Sequence, residues 1–285
     1  MSGGADSTAL LHRCRGAGLA VTVLHFNHGF ADENGNEAEA FCRALCASLN
    51  VPLRVGRCAE PWMGQATKEV FARRHRMAFF ADASRALGLE GILLGHQADD
   101  RAENLILRLA RGCGLGGLAS FGWAGRLPGA PEVRLWRPLL DETHADQVAW
   151  LRARGLAWVE DVSNADTSIP RNAIRRHVIP SLPHFVAGAN ASADLLAEED
   201  AFLEGLAQQA TQAVSPERLV LAPDTPEVLA RRALRAWLPN LTRAWLGRLF
   251  ALRVGVIVQV PGGLRIRKTA PVTWEIAAER PRRPA

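Results

Sequence analysis

The chain has 285 residues and 48% hydrophobic side chains, enough for two domains with their own cores. Its net charge of +5 suits a nucleic-acid partner without demanding one. No apolar run reaches the ~20 residues of a membrane span, and Asp6 sits where a signal peptide would be apolar, so a cytoplasmic protein without a membrane partner is expected.

The chain opens on "SGGADST", and its chemistry is that of an anion cradle. Gly3 and Gly4 let backbone N–H groups, including that of Ala5, converge on one point, and the helix that follows adds its positive end. Ser2 and Ser7 add hydroxyl donors. Asp6 belongs in such a site when a divalent cation bridges it to phosphates. No Gly-Lys-Ser/Thr follows, which excludes a Walker loop.

Beyond the loop, helix and strand alternate. "STALLHRCRGAG" is helical and stops at Gly16 and Gly18, and "LAVTVLHFNH" is a strand buried on both faces. "NEAEAFCRALCASLN" is a helix, "VPLRVGRC" a strand, "TKEVFARRHRMAFFADASRALG" a long helix, "GILLGHQ" a buried strand and "ADDRAENLILRLARG" a helix. This order predicts an α/β fold, a parallel sheet with helices on both faces and ligands at the carboxyl ends of its strands.

A glycine-rich stretch, the strand "VRLWRPLL" and the helix "THADQVAWLRARG" follow. Pro180 and Pro183 place a boundary, giving a catalytic domain over 1–183. A smaller, mainly helical domain over 184–276 closes on short strands, with Gly262-Gly263 as a hairpin turn. Residues 277–285 read as a disordered tail. The five cysteines form no Cys-x-x-Cys pair; Cys42 and Cys46, a helical turn apart, are expected as core thiols, not a cluster.

Three further motifs accompany the loop. In "GHQADDRAEN", Asp100 and Glu103 share a helix face that would suit a cation or an ammonium group, and His96 follows a buried strand. In "FARRHRM", Arg73, Arg74 and Arg76 crowd one turn as a phosphate clamp. Arg171, Arg175 and Arg176 stand in "RNAIRRH". Taken singly, helix capping or a solvated basic face accounts for each.

Together and in this order, "SGGADST", "HFNHGFADENGNEAEAFC", "ARRHRMAFF", "LLGHQADDRAENLILRLARGCGLGGLAS", "RPLL" and "VEDVSNADTSIPRNAIRRHVIPSL" resemble the tRNA(Ile)-lysidine synthetases, a branch of the PP-loop ATP pyrophosphatases. The resemblance covers almost all of the first 183 residues and is looser beyond them. A further C-terminal domain of longer members is expected to have no counterpart here. The family pattern has tyrosines where Met77 and Ile169 stand here.

The resemblance implies ATP and Mg2+ as cofactors, and L-lysine and tRNA(Ile) with a CAU anticodon as partners. The C2 oxygen of the wobble cytidine is adenylated and the lysine ε-amine then displaces AMP, so that the tRNA reads AUA. It implies Ser2, Gly3, Gly4, Ala5, Asp6, Ser7 and His96 as ATP-binding residues, and Asp6 and Asp100 as magnesium-linked carboxylates. Arg76 and Glu103 complete the catalytic set, with Glu103 facing the lysine ammonium. Arg73, Arg171, Arg175 and Arg176 fall to tRNA. A thiolase-like PP-loop enzyme and a weakened RNA-binding relative are the alternatives; oligomeric state is open. A phosphate loop on a parallel sheet is set by the strand before it, so the natural reading frame is expected to begin upstream, with a β-branched apolar strand. Without it, ATP binding is expected to be poor.

Overall fold

The structure is a computed structural model and describes residues 1–30, 35–58, 62–64, 67–160 and 166–277. The tail expected from 277 onward, apart from Ala277, and residues 161–165 of the "VEDVSNAD" motif lie outside the described residues. Met1–Ala197 form one compact unit and Glu198–Ala285 a second. The limit falls within a helix, beyond the prolines that mark the expected boundary.

In the first unit, α1 (Ala5–Gly16) leads to β1 (Val23–Asn27), α2 (Gly35–Ser48), β2 (Leu53–Arg57), α3 (Lys68–Leu87), β3 (Gly91–Leu93) and α4 (Ala98–Arg111). Then come α5 (Leu115–Leu118), β4 (Ala124–Leu127), β5 (Ala130–Trp136), α6 (His144–Arg152) and α7 (Pro170–Ala173). A π-helical turn at Ile174–Val178 and a 3-10 turn at Ile179–Ser181 precede α8 (Phe185–Ala210).

The parallel sheet is in two pieces. β1 pairs with β2 in parallel, from Val23 opposite Leu53 to Asn27 opposite Arg57. β3 pairs in parallel with β5, whose far edge carries β4 antiparallel. β4 has no counterpart in the sequence prediction, although Pro128-Gly129 between apolar residues is a turn signature and Gly129 takes φ +83°. Helices supply the packing on both sides. α3 lays Met77 and Phe80 on Leu24, Ile92 and Leu135. α1 sets Leu11 against Val23 and Cys46, and Leu10 and Cys14 against Leu139. Cys14, Cys42 and Cys46 are all buried.

The second unit holds β6 (Thr211–Ser215), β7 (Arg218–Leu221), α9 (Glu227–Trp237), α10 (Arg243–Ala251), β8 (Ile257–Gln259), β9 (Arg265–Ala270) and β10 (Thr273–Ile276). Its antiparallel sheet has the order β6-β7-β10-β9-β8. Leu234, Leu246 and Leu249 from α9 and α10 pack on Leu219, Ile266 and Trp274. The Trp274 indole N–H donates to the Leu249 carbonyl at 2.9 Å. The helical pattern continues through "ATQAV", but the chain leaves the helix at Ala210, where β-branched Thr211 and Val214 begin a hairpin turned at Pro216.

Candidate active site

The opening loop sits at the carboxyl ends of β1 and β3. Gly3 takes φ +92°, a conformation open to glycine, with Phe41 and Ala38 just beyond its missing side chain. The Gly3 carbonyl accepts from the Val159 N–H at 3.0 Å and from the Thr8 hydroxyl at 3.2 Å, so the turn is pinned from two sides. A Cβ on Gly95, after β3, would lie 3.2 Å from the Asp6 and Ser7 backbone. Glycine therefore lets that strand end reach the loop. α1 begins at Gly4 with no side-chain cap, which leaves its first N–H groups for an anion. Ser2 Oγ and Ser7 Oγ lie 3.2 Å apart beside them.

α4 starts on a capping box: Gln97 accepts from the Asp99 N–H, and Asp100 accepts from the Gln97 N–H at 3.2 Å. One turn on, Glu103 is fully buried. Its carboxylate accepts from Arg175 Nε at 2.5 Å and from Arg171 Nε at 2.8 Å. Both guanidiniums also stand 3.7 Å from Asp100. Burial still raises the Asp100 carboxyl to about 6, against the pull of Arg171. Asp6 points elsewhere, accepting from His144 Nδ1 at 2.9 Å, while the His144 backbone N–H donates to Asp99 at 2.8 Å.

A cavity of about 1710 Å³ opens from the loop. Seven arginines line it, Arg73, Arg76, Arg126, Arg137, Arg152, Arg175 and Arg176, against the carboxylates of Asp6, Glu90 and Glu160. That balance favours a polyanion. Burial, with Arg73 close by, lowers the Arg76 pKa; so placed, Arg76 is a cation awaiting a counter-charge. His96 Nδ1 accepts from Arg137 Nε at 3.2 Å, and the Arg137 guanidinium lies 5.0 Å from the Phe121 ring centre. Burial first, and Arg137 next, press the His96 pKa down to about 3. The ring is neutral, and with Nδ1 accepting, its proton sits on Nε2.

The PP-loop domain family matches residues 1–182. A tRNA(Ile)-lysidine synthase from Novosphingobium aromaticivorans is 36% identical over 93% of this chain and 85% of its own length. The chain belongs to the tRNA(Ile)-lysidine synthase family. Enzymes of that name from Chromobacterium violaceum and Pseudomonas aeruginosa are 37% and 38% identical over 84% and 88% of this chain. The chain spans 56% and 58% of the length of those two relatives. Among solved structures, the U34-tRNA thiolase NcsA from Methanococcus maripaludis with its [4Fe-4S] cluster superposes with a TM-score of 0.55 over 70% of this chain and 71% of that one. At 14% identity, that likeness is one of fold.

Within this tRNA(Ile)-lysidine synthase family member, the structure groups the residues expected from sequence into two sets. Ser2, Gly4, Ala5, Asp6, Ser7, Arg73, Arg76 and His96 line the cavity, with Gly3 in the turn beneath. Asp100 and Glu103 do not line it; they hold Arg171 and Arg175. Glu103, expected to meet an ammonium, meets two guanidiniums instead, because α7 and the π turn bring the arginines onto α4. Arg175 also reaches the cavity, beside Arg176. Sequence reasoning passes over Arg137, Phe121 and His144. Arg137 had a signature, since it follows a buried parallel strand, where ligands meet such sheets. His144 had none: its link to Asp6 spans 138 residues.

Proposed function

We propose that this chain ligates L-lysine to the wobble cytidine of tRNA(Ile) bearing a CAU anticodon, at the expense of ATP. The carrying observation is the uncapped start of α1 at a cavity with seven arginines and three carboxylates, in a chain with this family membership. The N–H groups around Gly4, with Ser2 and Ser7, take the β- and γ-phosphates. Arg76 and Arg73 offset their charge, which grows on the leaving pyrophosphate as the reaction proceeds. His96, neutral with its proton on Nε2, donates to the nucleotide and does not act as a base.

The bond changes balance with these groups alone. The cytidine C2 oxygen attacks the α-phosphorus, and the bond to the β-phosphate oxygen breaks to release pyrophosphate. The neutral lysine ε-amine then attacks C2 and gives a proton to solvent, and AMP leaves with the C2 oxygen. Asp6 lines the cavity at the anion end of α1 with Oδ1 on His144, and its other oxygen would hold a magnesium ion, whereas Asp100 is engaged by a backbone N–H and two arginines. When bound, the ion would supply charge neutralisation on the phosphates. Through Glu103 and Asp100, α4 positions Arg175 at the rim, where Arg176 meets the tRNA backbone.

Incubation with ATP, labelled lysine and a CAU-anticodon tRNA(Ile) transcript should give tRNA-bound lysine and equimolar AMP. AMP release without lysine in the tRNA would point to another PP-loop modification. Binding of tRNA without AMP release would leave an RNA-binding relative.

A further inference from the structure

One face of α6 walls the cavity: His144, Ala145, Val148 and Arg152 follow one another at helical spacing. The chain then turns back, and Trp158 and Val159 line the same cavity. The Val159 N–H donates to the Gly3 carbonyl at 3.0 Å, and the Trp158 ring packs on the cluster of Ala5, Ala9 and Leu151. A half-buried indole therefore stands against the phosphate loop itself.

Two indoles line the cavity among the described residues, and only one of them is committed to packing. Trp136 lies over Gly91, where a Cβ would come within 2.4 Å of its ring. Trp150, also on α6 but outside the cavity, has two guanidiniums over it, Arg154 at 4.1 Å and Arg13 at 5.0 Å. Trp158 has one, that of the exposed Arg152 at 5.9 Å, and Arg152 makes no salt bridge among the described residues. An indole on a cationic cavity wall with a guanidinium beside it is suited to an unpaired nucleobase: the base stacks on the ring and the cation meets the base or its phosphate.

The neighbours of Trp158 narrow the occupant. Arg152 repels an ammonium, which sets lysine aside. With the β- and γ-phosphates of ATP at the N–H groups around Gly4, its adenine lies beyond the α-phosphate and the ribose, away from the loop that Trp158 adjoins. A base on Trp158 therefore comes from the other nucleotide substrate. Drawing one anticodon base to the α-phosphorus pulls its neighbour out of the stack, and an aromatic side chain replaces the contact that the neighbour loses.

We propose that Trp158, with Arg152, is a stacking platform for an unpaired RNA base, that of the nucleotide next to the reacting cytidine. The platform rests on the lysine-ligation reading for the identity of the RNA, and it supplies a contact to the RNA bases that the phosphate-binding arginines do not.

The test is binding of a hairpin RNA carrying the CAU anticodon loop, and separately of ATP, to the parent chain and to Trp158→Leu, Trp158→Phe and Arg152→Gln. Trp158→Leu keeps an apolar side chain on α1 and should weaken the hairpin by about tenfold or more. Trp158→Phe should recover most of that loss, Arg152→Gln should cost about two- to fivefold, and ATP affinity should be unchanged in all three. Among hairpins with a single abasic loop nucleotide, the one abasic beside the wobble cytidine should bind the parent weakly and lose nothing more in Trp158→Leu. Equal hairpin affinity in the parent and Trp158→Leu would overturn the proposal, as would a further loss with every abasic hairpin. A parallel fall in ATP affinity would make adenine the occupant. A lowered Tm, with a binding loss that phenylalanine does not restore, would assign the indole to packing alone. Lysine transfer is not read in this assay, so a chain that binds the hairpin through Trp158 yet leaves lysine free would sink the ligation reading and not the platform.

Discussion

His144 Nδ1 lies 2.9 Å from Asp6 Oδ1, tying the first turn of α6 to the first turn of α1. The hydrogen bond to Asp6 raises the His144 pKa above 6.5. Its charged form is therefore favoured by folding. The pair contributes stability below the unfolded value of 6.5 and loses it as pH rises through the raised value. The His144 side chain is 55% exposed, so the contribution is about 0–1 kcal/mol. His144→Ala should therefore lower Tm most below pH 6.5, and progressively less as pH rises above it. A Tm loss independent of pH would show that His144 acts through packing.

Asp100 has the opposite sign. Its carboxyl, near 3.8 when unfolded, is raised to about 6 by burial. Between those values the folded chain holds a proton that the unfolded chain has lost, so stability falls as pH rises and stays lower above 6. Asp100→Asn keeps an acceptor for the Gln97 N–H and removes the buried charge. At pH 7.5 the variant should be more stable by ~1–3 kcal/mol, and the gain should vanish near pH 4. AMP formation should nonetheless drop, because Arg175 loses one of its two anchors. Lower stability at pH 7.5 would mean that the pairing with Arg171 and Arg175 outweighs desolvation.

The alternation of elements and the loop were legible because each rests on local chemistry. Buried parallel strands such as Val23–Asn27 lie in mostly apolar, β-branched stretches, and Gly3-Gly4 marks a backbone turn. What escaped is non-local. β4 and β6 are short edge strands whose pairing is decided by partners, and a helical pattern overran β6. At the site, the types of Glu103, Arg171 and Arg175 are visible in sequence, yet their mutual neutralisation appears only when α7 and the π turn pack against α4. A carboxylate near a site looks equally fit for a substrate ammonium and for an arginine of the same chain.

Glu103 separates those two roles by experiment. It is fully buried while Arg171 and Arg175 retain 35% and 39% side-chain exposure. Glu103→Gln would leave two crowded guanidiniums without their shared anion. The cost should be about 2–3 kcal/mol, below the usual figure for a broken buried pair because the arginines reach solvent. Lysine KM in the folded fraction should be unchanged. A raised lysine KM with an unaltered Tm would instead place the substrate ammonium at Glu103.

Arg175 and Arg176 are adjacent but differently employed. Arg175 is tethered to Glu103 and Asp100, while Arg176 lines the cavity and has no salt bridge among the described residues. Arg176→Ala should weaken tRNA binding and reduce the slope of log affinity against log salt by about one. Arg175→Ala should chiefly lower Tm. The reverse pattern would put Arg175 on the RNA.

Arg137 fixes the state of His96. Its Nε donates to His96 Nδ1 at 3.2 Å, its Nη1 to the Gly122 carbonyl at 2.8 Å, and its plane lies against Phe121. Three contacts of fixed direction suit a planar guanidinium and no other side chain. Arg137→Met should free Nδ1 and remove a neighbouring positive charge, so the His96 pKa should rise. Burial, the larger cause of its depression, would persist and keep it below 6.5. Nitrogen NMR of the imidazole should show the Nε2–H form alone in the parent chain and a mixture of tautomers in Arg137→Met. If His96 only holds the nucleotide, ATP affinity should fall about tenfold, the worth of one hydrogen bond to a charged group, and the rate of AMP release at saturating ATP should change little. A rate that acquires a new pH dependence near 6 in Arg137→Met, with affinity intact, would make His96 a proton carrier and contradict the neutral-donor role.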